Sequence, residues 1–116
     1  MSGVSRQKRQ VVIFGDYFGE FYQQQSEKVR LKIDWTIGIV RDFQVIPGQY
    51  FRHIAGTDLY EVRVAVGNDI FRIFCFFDTD NSIVLLNGFQ KKDQKTPRAE
   101  IEKALKIKCD YHEDKS

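Results

Sequence analysis

Arg63 and Arg72 are the residues of this chain best placed to do chemistry, because the local pattern sets them face to face. Gly67-Asn68 separates two strand-like runs, YEVRVAV and DIFRIFCFF, and reads as a two-residue hairpin turn in which both residues tolerate positive φ. Pairing outward from Val66 and Asp69 brings Arg63 directly opposite Arg72. Like charges opposed across a ladder are destabilising unless something anionic lies between them, so the pair points to a phosphate. Guanidiniums suit that role through fixed charge and several donors for nonbridging oxygens. The structural alternative for either arginine is an ion pair with Glu61.

A basic cluster follows. From Lys91 to Lys108 there are seven basic residues against three acidic ones, a local excess of +4 that is the footprint of a polyanion binder. Lys91, Lys92, Lys95 and Arg98 stand nearest the arginine strands; alternation puts Lys91 and Lys92 on opposite faces, and Lys92 and Lys95 are favoured for backbone contact. The alternative is a solvated helix face laced with i,i+4 ion pairs. Near the C-terminus, Asp110-Tyr111-His112 offers a histidine that titrates near neutrality and a tyrosine able to stack or donate a proton. A fraying helix end, with His⁺ favourable to the helix dipole, explains the same triplet. His53, beside Arg52 in a connecting loop, reads as structural or solvated. Asp78-Thr79-Asp80-Asn81 resembles the start of a calcium loop but lacks its Gly and its Glu at position twelve, so it is a hairpin turn. There is no Gly-rich phosphate loop and no Cys/His spacing for zinc; neither a metal nor a cofactor is expected.

The elements that must hold these residues read as follows. Gln10–Tyr17 is a first strand. Phe18 to about Phe43 is helical by the spacing of Phe18, Phe21, Tyr22, Val29, Ile33, Ile37 and Val40. It is either one helix or a hairpin broken at Gln23–Ser26, with Ser26 as N-cap. Val45–Asp58 is a connection with a short ordered turn around Tyr50–Ile54. Strands then run over Leu59–Val66, Asp69–Asp78 and Ile83–Gln90, and Thr96-Pro97 opens a last helix that turns Ile101, Ala104, Leu105 and the stem of Lys108 toward the sheet. Alternation places Tyr60, Val62, Val64 and Val66 with Phe71, Ile73, Cys75 and Phe77 against the helices, and Arg63 and Arg72 on the opposite face, where a groove can form.

With 116 residues, 42% hydrophobic and 29% charged, the chain reads as one ordinary globular domain, and ten Phe predict a core of large rings. The expected division is a basic tail over 1–9, a domain over 10–112 and a C-terminal tail over 113–116. Net charge is only +2, so the distribution of charge carries more information than its sum. Cys75 and Cys109 make no disulfide scaffold, and Cys75 reads as a small buried residue. No apolar run approaches membrane-spanning length and no signal peptide is evident, so a cytoplasmic protein is expected.

The segments LYEVRV, FRIFCFF and VLLNGFQKKDQKTPRAEIEKA together resemble the phage-derived Gp49-like branch of the RelE/HigB toxins of bacterial type II toxin–antitoxin systems, over roughly residues 10–112. That resemblance implies an α+β, RelE-like fold: an N-terminal helix pair on a mostly antiparallel four-stranded sheet, with a C-terminal helix. It implies a metal-independent, ribosome-dependent endoribonuclease that cuts mRNA and is silenced by a cognate antitoxin, commonly a helix-turn-helix protein. Arg63, Arg72, Lys95, Tyr111 and His112 then become the candidate catalytic groups, and Lys91, Lys92 and Arg98 candidate RNA contacts. Two departures stand out: Asp58 runs straight into Leu59 where the family often has Gly, and Asp93 replaces a usual Thr, adding an acid to the basic cluster. The alternatives on the same fold are a ParE-like, non-catalytic inhibitor of DNA gyrase and a non-toxic RNA- or partner-binding protein.

Overall fold

In the computed structural model, which describes residues 8–115, the Gly67-Asn68 hairpin organises the sheet. Strands β3 (Tyr60–Val66) and β4 (Asp69–Phe77) pair antiparallel, with Arg63 opposite Arg72. Of the two turn residues only Gly67 takes positive φ, at 60°, the form of two-residue turn that needs Gly first. A tight turn at Thr79–Asn81, with positive φ at Asp80 and Asn81, returns the chain into β5 (Ile83–Lys91), antiparallel to β4.

The sheet has five strands where the sequence led us to expect four, in the order β1-β5-β4-β3-β2. The added strand is β2 (Phe51–His53), antiparallel to β3, in the stretch read as a turn. Three residues between Pro47-Gly48 and Gly56 are too few for alternation to register. Partners on β3 hold β2 in place: the Arg63 N–H donates to the Tyr50 carbonyl at 2.8 Å, and Phe51 stacks on Tyr60 at 5.0 Å. At the other edge, β1 is shorter than expected, Val11–Ile13, and pairs parallel with Ile83–Leu85. Gly15, at a φ of 69°, turns the chain out of it.

The N-terminal helical region is a hairpin of α1 (Tyr17–Gln23) and α2 (Glu27–Asp42). Ser26 caps α2, its Oγ accepting from the Val29 N–H at 3.3 Å. Arg9 caps the other end, donating to the carbonyls of Val40, Phe43 and Gln44. Lys8 and Arg9, assigned from sequence to a basic tail, are tied to the end of α2, while the rest of that tail lies outside the described residues. The final helix, α3 (Arg98–Lys115), absorbs residues 113–115. It starts after the predicted Thr96-Pro97, with the Pro97 carbonyl accepting from Glu100 and Ile101.

Helices cover both faces of the sheet. Phe18, Phe21, Val29, Ile33 and Val40 of α1 and α2 pack on Val62, Val64, Phe71, Ile73 and Leu85. On the opposite face α3 lays Ala104, Ile107 and Tyr111 over Phe74, Phe76, Val84 and Leu86. The arginine face thus carries a second core over β4 and β5. The stripe of α3 differs from the predicted one: Leu105 points outward at 40% exposure, and Ile107 and Tyr111 point in. Ala104, Ile107 and Tyr111 recur at three and four residues, a better helical stripe than one that includes Leu105.

Candidate functional site

Strands β2, β3 and β4 set Arg52, Glu61, Arg63 and Arg72 side by side on the face that α3 covers only in part. Arg52 is the register partner of Glu61 and Arg63 that of Arg72, and residues two apart on a strand share a face. The Glu61 carboxylate lies between the opposed arginines. Its Oε2 accepts from Arg63 Nη1 at 3.1 Å and stands 3.6 Å from Arg72 Nε. Glu61 therefore supplies the anion that the opposed pair demands, and a ligand is not needed to explain the pairing. One carboxylate among three guanidiniums nevertheless leaves two positive charges unbalanced.

Arg72 is the constrained member. It is 6% exposed, donates Nη1 to the Phe71 carbonyl at 3.1 Å, and keeps a buried Nε with no hydrogen-bond partner among the described residues. Burial first, then the charge of Arg63, holds its guanidinium below the usual arginine value; Glu61 opposes this and Arg52 adds to it. A second anion on this face would lower that electrostatic cost. Arg52 was not among the sequence candidates, because β2 was not legible. The signal that could have found it is aromatic-Arg, Phe51-Arg52, repeating the Phe71-Arg72 of β4.

The basic cluster does not converge on the arginines. Lys91 pairs with Ile70 and so shares the arginine face, but its Nζ donates to the carbonyls of Asp93 and Gln94 and closes the loop after β5. Lys92 lines a groove at the outer edge of β5, one strand away from Arg72. Lys95 is exposed in the loop before α3, and Arg98, also exposed, pairs with Glu102 at 3.4 Å.

Tyr111 and His112 lie apart from the arginines as well. The Tyr111 hydroxyl donates to Asp78 Oδ2 at 2.5 Å and accepts from Lys115 Nζ at 3.2 Å, and its ring packs edge-on against Phe14 and Phe76. Asp78, the residue just past β4, is six residues from Arg72, roughly 20 Å at strand rise. The hydrogen bond to Asp78 raises the Tyr111 pKa, and the same bond lowers that of Asp78. His112 instead packs its ring 5.3 Å from that of Phe76 and lines a pocket of about 300 Å³ with His53, Asp58, Tyr60 and Lys108. His53, read from sequence as structural or solvated, stands in one pocket with His112. Its Nε2 lies 2.6 Å from the Thr57 carbonyl, a donor's position that leaves Nδ1 as the acceptor in the neutral ring. Lys108 spans the pocket, 3.5 Å from Asp58 Oδ2 and 5.3 Å from the Phe76 ring. Among the described residues no helix is long and apolar enough to cross a membrane, and no cluster of His, Cys, Asp and Glu is arranged to hold a metal ion.

The fold and its surface define a small α+β domain with an arginine-lined sheet face and, apart from it, a two-histidine pocket. Residues 20–108 match the model of the phage-derived Gp49-like protein family, and the chain belongs to that family. The matched span holds the whole arginine patch, His53 and the basic cluster, and stops short of Tyr111 and His112. No curated protein matches the chain.

Proposed function

We propose that this protein is the toxin of a type II toxin–antitoxin pair and acts as a ribosome-dependent, metal-independent mRNA endoribonuclease. The observation that carries the reading is the pair Arg63 and Arg72 on a single carboxylate, with exposed Arg52 opposite that carboxylate in register, which leaves two charges for an anion. Membership of a phage-derived family and the likeness of the arginine strands to RelE/HigB toxins support it. In-line attack by a 2′-hydroxyl develops charge on the nonbridging oxygens, which preorganised guanidinium donors stabilise.

Two measurements test this. Induction of the protein alone should stop growth, with translation falling before any DNA-damage response; early damage signalling with translation intact would instead favour gyrase inhibition. Protein stripped with EDTA and desalted should cut mRNA on translating ribosomes and cut little naked RNA. Restoration of activity only by an added divalent ion would overturn the mechanism.

A further inference from the structure

Strand β5 has an unfinished edge. β1 pairs with β5 only at Ile83–Leu85, and among the described residues no strand lies on the side away from β4 from Leu86 to Lys91. Alternate backbone N–H and C=O groups of this stretch therefore face outward, the arrangement that accepts an added strand. The pairing with β4 is irregular at the same place: between the Ile73–Gly88 and Cys75–Leu85 pairs, β4 has one residue and β5 has two. Such a bulge re-aims side chains. Asn87, on the bulge, is 1% exposed and donates Nδ2 to the carbonyl and Oε1 of Glu100 on α3, at 3.3 and 3.0 Å. Both of those atoms are acceptors, so the amide orientation is fixed, and Oδ1 is left buried with no partner among the described residues.

This edge is the floor of a built groove of about 480 Å³, walled by Phe21 of α1 and its C-cap Gln24 on one side and Lys103 of α3 on the other. Gly88 allows α1 to come close enough to form that wall, since a Cβ there would lie 2.5 Å from the Phe21 ring. The rim carries Lys92 and Lys103 against Glu20, a net positive charge.

We propose that the open edge of β5 between α1 and α3 is a docking groove for an extended segment of a partner protein, which pairs with β5 as a strand in line with β1 and presents acidic side chains to Lys92 and Lys103. The backbone edge favours a polypeptide over other occupants, because a strand can satisfy the outward N–H and C=O groups in register. The charge of the rim selects the acidic side chains. The proposal concerns binding alone and is independent of the nuclease reading.

The test uses the full chain and random twelve-residue peptides displayed for selection against it. Selected peptides should be rich in Asp and Glu. The best of them should slow amide exchange of residues 86–91 at least tenfold while leaving the β2 edge at 51–53 unchanged, and Lys103→Glu should weaken its Kd about tenfold without altering the melting temperature. Peptides that protect the β2 edge or the arginine face instead, a Kd unmoved by Lys103→Glu, or protection of residues 86–91 by a twelve-residue oligouridylate but by no peptide would each overturn it.

Discussion

Glu61 governs the behaviour of the arginine patch, since its carboxylate is the shared counter-ion of Arg63 and Arg72. Glu61→Gln removes that charge and leaves guanidiniums facing one another, one of them 6% exposed. The variant should lose about 1–3 kcal/mol, the range for a buried polar group losing its partner, with the partial exposure of Arg63 keeping it below the cost of breaking a fully buried ion pair. Sulfate should then raise its melting temperature more than that of the wild type, by occupying the place of the carboxylate; equal shifts in thermal melts would deny an anion site here. Arg63, whose side chain is 24% exposed, and Arg72 divide differently. Arg63→Ala should cut the cleavage rate on the order of 10²-fold at nearly unchanged stability. Arg72→Ala should lose both activity and stability, because the arginine stem fills a buried site beside Phe71. Arg72→Lys should recover part of the stability and less of the activity, since an ammonium lacks the planar fork.

Single contacts hold the elements in register, and each can be tested. Gly88→Ala would drive a methyl into the Phe21 ring, costing about 1–3 kcal/mol as overpacking, and Phe21→Leu in the same chain should return part of that loss in a double-mutant cycle. The end of α3 is pinned by the Tyr111–Asp78 bond, with Lys115 joining both. Asp78 has its folded pKa depressed by that bond, so its contribution is full above the usual carboxylate value and is lost as pH falls through the folded value. Tyr111→Phe should lower the melting temperature at neutral pH, by roughly 3–6 °C for a loss of about 1 kcal/mol. The gap from the wild type should narrow in acid melts; a gap that widened there would show that the bond does not depend on ionised Asp78. The elements legible in sequence were those with long periodic patterns or defined turn chemistry: the β3–β4 hairpin at Gly67-Asn68, the Ser26 cap and the Asp78–Asn81 turn. What escaped were features set by tertiary partners. β2 is three residues long, the short extent and parallel pairing of β1, itself expected, depend on a strand 72 residues away, and the inward face of α3 depends on Ile107 and Tyr111 meeting Phe76.

At the scale of the whole molecule, a net charge of +2 gives little long-range attraction for RNA, so affinity must come from where the charge sits. The sequence made the Arg63–Arg72 pair visible and hid its third member, because Arg52 joins only through β2. It also drew Tyr111 and the lysines at and beyond the end of β5 toward the arginines, whereas the fold sends Tyr111 into the core, bonded to Asp78, turns the Lys91 ammonium onto the loop that follows and leaves Lys92 at the outer edge of β5. This separation makes the source of RNA affinity measurable through its salt dependence. For single strands the slope of log K against log salt is about −0.7 per phosphate neutralised. If the arginine patch is the contact, three guanidiniums less the one already balanced by Glu61 leave two, and a short oligoribonucleotide should bind with a slope of about −1.4 by the same rule. Arg63→Ala should halve that slope to roughly −0.7, and Glu61→Gln should steepen it toward about −2.1. Fluorescence anisotropy across a salt series reads all three. A wild-type slope of about −3 or steeper, unmoved by either substitution, would mean that the lysines and Arg98 after β5 hold the RNA, and the arginine patch would then be a structural device for closing the sheet around Glu61.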